Sequence, residues 1–392
     1  MPRATRLACV AIAAVVATLP AGAGSISVDG QLISTAATGT PPLAVDSTTM
    51  VTNLNANLLG GLPASAFSTA LANVVRVGTS GGAFTSIQAA LDSITDADID
   101  NWYLVLVGPG VYAESITLKN FVTLMGHGRY ETRIEVEGAG DVTAVQGAPL
   151  AFLRDLWIVA RSTGGGDATG IDGSFYLAER IQVQAVTTPP GQATGLNLAG
   201  SDSVRLRDAE VFAQGGAVNT GVYMETPAEL TMNGGTIRGQ SGATNYGIRR
   251  SFVSGIGFLD LEDVDVAGVG GSIGYGIRSE KGSMILRRCS VSGGGTAEAI
   301  GAYNGEVTTY TAADSSFTAY DAPNPARIGF QQAAGTVLMH RCAFNAAIAI
   351  DVAAGAQARV AYSQIFVSLG GAGTYSCIGN YDLGMAPVSC PP

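Results

Sequence analysis

Six side chains, spaced roughly one repeat apart, carry the types that recognise sugar. Tyr223, Arg249, Arg278 and Tyr303 each follow a Gly–apolar pair, and Glu225 and Glu280 stand two residues beyond Tyr223 and Arg278. Aromatic rings stack on sugar faces, and guanidinium or carboxylate groups bond hydroxyls or uronate carboxylates. Two carboxyl groups can also serve as acid and base across a glycosidic bond, an inverting pair lying about 6.5–9.5 Å apart. The same residue types make an ordinary polar surface on any repeating sheet, with Glu beside Arg as simple surface pairing. All of these readings require a scaffold that sets residues some 26 positions apart side by side.

The chain repeats in that way. Gly followed by an apolar residue recurs at Gly170-Ile171, Gly195-Leu196, Gly221-Val222, Gly247-Ile248, Gly276-Ile277, Gly301-Ala302 and Gly329-Phe330, in steps of 25, 26, 26, 29, 25 and 28 residues. Between these marks lie alternating segments with a polar corner, among them LRDLWIV, LAERIQV, VRLRDAEV, LDLEDVDV, MILRRCSV and LMHRCAF. Period-2 alternation reads as strand, and the Gly, Ser and Asn clusters read as turns. One strand–turn–strand unit per 20–30 residues predicts an all-β parallel β-helix, single-stranded, whose coils share one core and stack about 4.8 Å apart. Nine or ten coils fit between residue 102 and about 370. The residue after each polar corner then points inward: Leu156, Ile181, Ala209, Val264, Cys289, Ser315, Cys342 and Ser363. Cys289 and Cys342 share this column two coils apart, about 9–10 Å, beyond disulfide reach, and read as small core residues.

Composition narrows the partners. The chain opens with MPRATRLACVAIAAVVATLPAGAG, a basic start, an apolar run over 7–19 and a small-residue cleavage site at Ala21-Gly22-Ala23. Residues 1–23 therefore read as a secretory signal, too short to span a bilayer, and the mature protein as secreted or periplasmic. The full chain carries 21 basic and 31 acidic residues, net −10, which disfavours nucleic acid and anionic membrane. No cofactor is expected. Cys377 and Cys390 bracket a short C-terminal loop and are expected to pair in an oxidising compartment. The organisation predicted is a signal (1–23), an attachment-like segment (24–72), the β-helix (73–372) and a disulfide-closed tail (373–392).

The stack needs covered ends. In FTSIQAALDSI, Ile87, Leu91 and Ile94 fall at i, i+4 and i+7 with Ala89 and Ala90 beside them, and Thr85 or Ser86 can cap, which predicts a short lid helix. From about residue 74 to 135 the chain resembles pectin methylesterases and related pectin-lyase-fold proteins. The matching pieces are VRVGTSGGAFTSIQAALDSI, YLVLVGPGVYAESITLKN and VTLMGHGRYETRIE. The resemblance implies a right-handed helix and, on later coils, a carboxylate pair, oxyanion-binding Gln residues, and an Arg and a Trp holding sugar. The strings that carry those roles, of the type Q-D-T-L, D-F-I-F-G and L-G-R-P-W, do not occur. Ala144-Val145-Gln146-Gly147 is the nearest fragment, and Trp157 has no Gly-Arg-Pro before it. No catalytic residue carries over.

Residues 41–67 are similar to modules of phage tail fibres and bacterial surface proteins, through Asn55, Ala56, Leu59, Gly61, Leu62, Ala64 and Phe67. Other chemistry finds little support. His127 and His340 fall about eight coils apart, and no GxSxG, P-loop or HExxH occurs. The acidic run from Leu259 to Asp265 is the one stretch that could attract Ca²⁺, although alternation spreads its carboxylates around a corner. The functional expectation is a non-catalytic protein binding polysaccharide or a cell-surface glycan through Tyr223, Arg249, Arg278 and Tyr303. The alternatives are a polysaccharide lyase, esterase or hydrolase using Glu225 and Glu280, and a trimeric adhesin or tailspike-like fibre.

Overall fold

The structure, a computed structural model, describes Leu58–Leu59, Leu62–Pro63 and residues 73–388 apart from 81, 199–202, 226, 252–254, 256, 306–308, 324, 366–367 and 383–385. The predicted signal, nearly all of the attachment-like segment, and Cys390 lie outside the described residues. The chain divides into two units, Met1–Ala64 and Ser65–Pro392. In the first, Leu58–Leu59 pairs antiparallel with Leu62–Pro63.

The second unit is a parallel β-solenoid of about ten turns, as the repeat predicts. Each coil between the two end strands contributes to each of three faces. One face begins Val74–Val77, Tyr103–Val107, Val122–Met125, Phe152–Arg154 and Leu177–Glu179. The next begins Gly110–Tyr112, Thr132–Gly138, Trp157–Ser162 and Gln182–Val186. The third is an eleven-stranded sheet from Ile116–Thr117 to Leu369–Gly371. In mid-molecule, Ser203–Gln214, Glu229–Gln240 and Phe258–Val269 run unbroken from the first face into the second. The first coil starts at Val74, ahead of the lid helix, because Val74–Val77 pairs with Tyr103–Val107 across the helical insertion. At the other end Thr374–Ile378, read from sequence as tail, forms one more strand beside Gln357–Ala361.

Two backbone facts explain the repeat. A Cβ added at Gly170, Gly195, Gly221, Gly247, Gly276 or Gly301 would lie 2.4–2.6 Å from the carbonyl oxygen of the matching glycine on the next coil, so the stacking distance leaves no room for a side chain. The polar corner has a different cause. Asp155, Arg180, Asp208, Gly234, Asp263, Arg288, Asp314, Arg341 and Tyr362 all turn with φ between 49° and 73°. Non-glycine residues rarely adopt this left-handed conformation, and Asp is among the more tolerant. Pairing along the corner offsets the cost. Arg180 forks onto Asp155 at 2.7 and 2.8 Å, Arg288 onto Asp263 at 2.8 Å twice, and Arg341 onto Asp314 at 2.5 and 2.6 Å.

The predicted inward column is buried throughout, from Leu156 to Ser363. Cys289 and Cys342 are free and buried, each thiol donating to backbone carbonyls at 3.3–3.6 Å. Burial raises both thiol pKa values, that of Cys342 to about 11. Buried amides stack inside as well, Asn219 donating to Asn245 at 3.0 Å and Asn304 to Gln332 at 3.2 Å.

The lid helix α1, Ile87–Ser93, is capped by Ser86, whose hydroxyl accepts from the Ala89 N–H. Ile87, Ala90 and Leu91 are fully buried and Ile94 nearly so, whereas Ala89 faces solvent. Glu114, from the following coil, accepts from the Ile87 and Gln88 amides at 2.7 and 3.1 Å and from the Ser86 hydroxyl at 2.7 Å. A carboxylate on these free amides satisfies them and the positive end of the helix. Among the described residues no helix is long and apolar enough to cross a membrane.

Candidate functional site

The third sheet carries the sugar-binding candidates. Its strands Val218–Met224, Thr244–Arg250, Ile273–Ser279 and Glu298–Asn304 put Tyr223, Arg249, Arg278 and Tyr303 in one row, on four successive coils. Val222, Ile248, Ile277 and Ala302, one residue earlier, are fully buried, so alternation turns the row outward. The row's flanks are amides and carboxylates bonded to each other, Asn197 to Asp172 at 2.8 Å and Gln331 to Asp351 at 3.0 Å. Only the four middle coils present rings and cations.

A second row of aromatic side chains, missed in the sequence, lies beside the first. Tyr246 and Tyr275 are paired across adjacent strands and their rings stack, 5.6 Å between centroids and 24° between planes. With Ile300 they form an apolar cluster separate from the helix interior. The Arg249 guanidinium lies 5.1 Å from the Tyr246 ring and 5.5 Å from Tyr223, and that of Arg278 lies 5.2 Å from Tyr275 and 5.7 Å from Tyr303. Each such contact is worth roughly 0.5–2 kcal/mol, depending on desolvation. Arg249 lies three positions after Tyr246, an odd offset that simple alternation would send to opposite faces. The intervening Gly247 has no ladder partner, and the strand shifts its phase there. The legible signal was the repeated string Tyr-Gly-Ile-Arg at 246–249 and 275–278.

The two arginines differ in charge environment. Arg278 donates through Nε to Glu280 Oε1 at 2.7 Å. Arg249 has no carboxylate partner among the described residues. The Tyr275 hydroxyl donates to Glu298 Oε1 at 2.7 Å. Burial, then this carboxylate, pushes the Tyr275 phenol well above its ordinary range; burial and Glu280 push Tyr303 the same way. Both phenols therefore stay protonated at neutral pH and act as donors.

Glu225 and Glu280 each lie one residue past a strand end, at matching positions two coils apart, about 9–10 Å by ladder spacing. Glu225 is exposed and Glu280 is taken up by Arg278. Three of the four carboxylates of the acidic run are arginine-paired: Asp260 bonds Arg287 at 2.7 Å, while Glu262 and Asp263 share Arg288. The partners come from Arg287-Arg288 one coil on. Among the described residues no three His, Cys, Asp or Glu side chains gather as a metal site. The remaining candidates scatter. Gln146 extends the outward row beyond Asp172, His127 lies at a turn with Nδ1 3.3 Å from the Val107 carbonyl, and His340 sits on the first face. Trp157 lies on the second face beneath the Arg133 guanidinium, 4.6 Å away.

No family model and no curated protein sequence matches this chain. Among solved structures it is similar to the A-module of mannuronan C-5 epimerase AlgE4 from Azotobacter vinelandii, with 17% identity over 76% of this chain and 90% of that one, at a TM-score of 0.52. Pectin methylesterase from carrot aligns with 11% identity over 80% and 83%, at a TM-score of 0.32. Pectate lyase Pel9A aligns with 11% identity over 81% of both chains, at a TM-score of 0.40. At such identities the likeness is one of fold. By fold, the chain is a right-handed parallel β-helix.

Proposed function

We propose that this chain is an exported β-helix protein that binds an acidic polysaccharide, without turnover, along the face formed by Tyr223, Arg249, Arg278 and Tyr303. The observation that carries the reading is Arg249, held between the rings of Tyr223 and Tyr246 with no carboxylate partner among the described residues. In a chain of net charge −10, an uncompensated guanidinium on a tyrosine-lined face is a place for a ligand carboxylate. The partly exposed Tyr223 and Tyr303 rings supply stacking surface over the buried Tyr246 and Tyr275, and the protonated Tyr303 phenol supplies a donor for a hydroxyl. Tailward, Cys377 closes onto Cys390 once the chain is exported.

Binding is favoured over turnover because the acid–base candidates are poorly placed. Glu280 is committed to Arg278, Glu225 stands exposed, and neither histidine lies on this sheet. The enzyme reading rests on the two-coil spacing of the same glutamates, near the upper limit for an inverting pair. A glycan array run with reducing-sugar and methanol-release assays separates the readings. Retention of acidic glycans with no product supports binding. Product formation abolished by Glu225→Gln or Glu280→Gln overturns it in favour of an enzyme.

A further inference from the structure

A groove on the first face of the helix, remote in sequence from the Tyr–Arg rows, has the makings of a second ligand site. Four consecutive coils align Thr311, Leu338, Arg359 and Ser376 in one outward row, with His340 and Ile378 in the row beside it. These six residues line a groove of about 640 Å³. From Thr311 to Ser376 is three coil steps, about 14 Å.

Four polar side chains of the groove are left open. Arg359 is exposed and has no ion-pair partner among the described residues, although the corner arginine beside it, Arg341, is forked onto Asp314. The ring nitrogens of His340 have no hydrogen-bond partner among the described residues, yet the ring is held in place, edge-on to Tyr362 at 5.6 Å and 79°. The hydroxyls of Thr311 and Ser376 likewise make no side-chain bond there. Between these groups, Leu338 and the 62%-exposed Ile378 supply apolar surface. The charge left over is cationic on a chain of net −10.

We propose that this groove binds the acidic sugar unit of a short oligosaccharide. Arg359 takes the carboxylate through paired N–H bonds, His340 donates to the same end, Leu338 covers the apolar sugar face, and Thr311 and Ser376 bond hydroxyls. An inorganic anion would use Arg359 and leave the apolar and hydroxyl positions idle. A neutral sugar would bury the guanidinium without a partner, which is costly.

The test is calorimetric titration of the full chain with trigalacturonate, maltotriose and sodium sulfate, in wild type, Arg249→Ala, Arg359→Ala and the double variant. Since Arg359 is exposed and without an ion-pair partner among the described residues, its removal should leave the melting temperature unchanged, and Arg359→Lys checks for the loss of forked geometry alone. Trigalacturonate binding should persist in Arg249→Ala and weaken at least tenfold when Arg359→Ala is added, with Arg359→Lys intermediate. Loss of all binding in Arg249→Ala alone overturns the second site and leaves the Tyr–Arg face standing. Equal binding by Arg249→Ala and the double variant also overturns it, as does sulfate or maltotriose binding as tightly as trigalacturonate. Binding that ignores Arg249 but requires Arg359 sinks the Tyr–Arg face instead.

Discussion

The guanidinium of Arg249 lies 5.5 Å from the ring of Tyr223 on the preceding coil, and no carboxylate among the described residues reaches it. Two coils join through a cation and a ring, and the cation keeps its charge for something else. In an Arg359→Ala background, which removes the second groove, Arg249→Ala should weaken binding of an acidic oligosaccharide at least about tenfold, the scale of one charge-assisted bond, while leaving the melting temperature within a few degrees. Arg249→Lys keeps the charge but not the planar fork and should recover part of the affinity. Unchanged affinity on adding Arg249→Ala to that background, measured by calorimetry, would remove this face from consideration.

The glycine column makes a stability prediction. At Gly221 a Cβ would sit 2.6 Å from the Gly247 carbonyl oxygen and 2.5 Å from Ile237, so Gly221→Ala has to push two coils apart. Overpacking of this kind typically costs about 1–3 kcal/mol. The flanking coils carry Ala144 and Ala349 at the same position, so Ala349→Gly should be comparatively mild. Chemical denaturation of both variants checks the contrast.

Glu114 should prove important to the lid although it lies outside the helix. Glu114→Gln weakens the bonds to the Ile87 and Gln88 amides and removes the charge at the helix start. A loss of about 1–2 kcal/mol is expected, similar to removal of a good N-cap. A thermal melt matching wild type would show that the lid does not depend on this carboxylate.

The corner pairs make the fold acid-sensitive. Bonds from Arg154, Arg288 and Arg341 hold Glu179, Asp263 and Asp314 below their ordinary carboxylate pKa values. A carboxylate whose folded pKa is depressed contributes stability that is fully present above its unfolded pKa, about 4. That stability is lost as pH falls through the lower, folded value. Denaturation midpoints should therefore drop below about pH 4, and Asp263→Asn with Asp314→Asn should flatten the drop. Because both corners are exposed, added salt should shrink the effect.

Thiol counting distinguishes the cysteines. Cys289 and Cys342 should resist labelling in the native protein and react on unfolding, since burial shields them and raises their pKa values. With Cys377 closed onto Cys390, the unfolded mature chain should show two reactive thiols before reduction and four after. Four thiols before reduction would exclude the closed tail.

The sequence alone determined a great deal of this fold, because a solenoid repeats the same short-range decisions. Period-2 alternation, a glycine each coil and a polar corner before each inward residue were enough to predict parallel coils, the buried column from Leu156 to Ser363, and the row of Tyr223, Arg249, Arg278 and Tyr303. Tertiary structure alone decided who meets whom across coils. Tyr246 and Tyr275 joined the outward face because the strand loses its alternation at the glycine, which a strict period cannot anticipate. Arg287 and Arg288 pair with Asp260, Glu262 and Asp263 of the acidic run because the coil length puts them one step above it, 25–27 residues along the chain. Glu114 found the lid helix by the same stacking. Local pattern fixes which way a side chain faces; its partner depends on loop lengths and coil register, and those are set only when the whole stack is assembled.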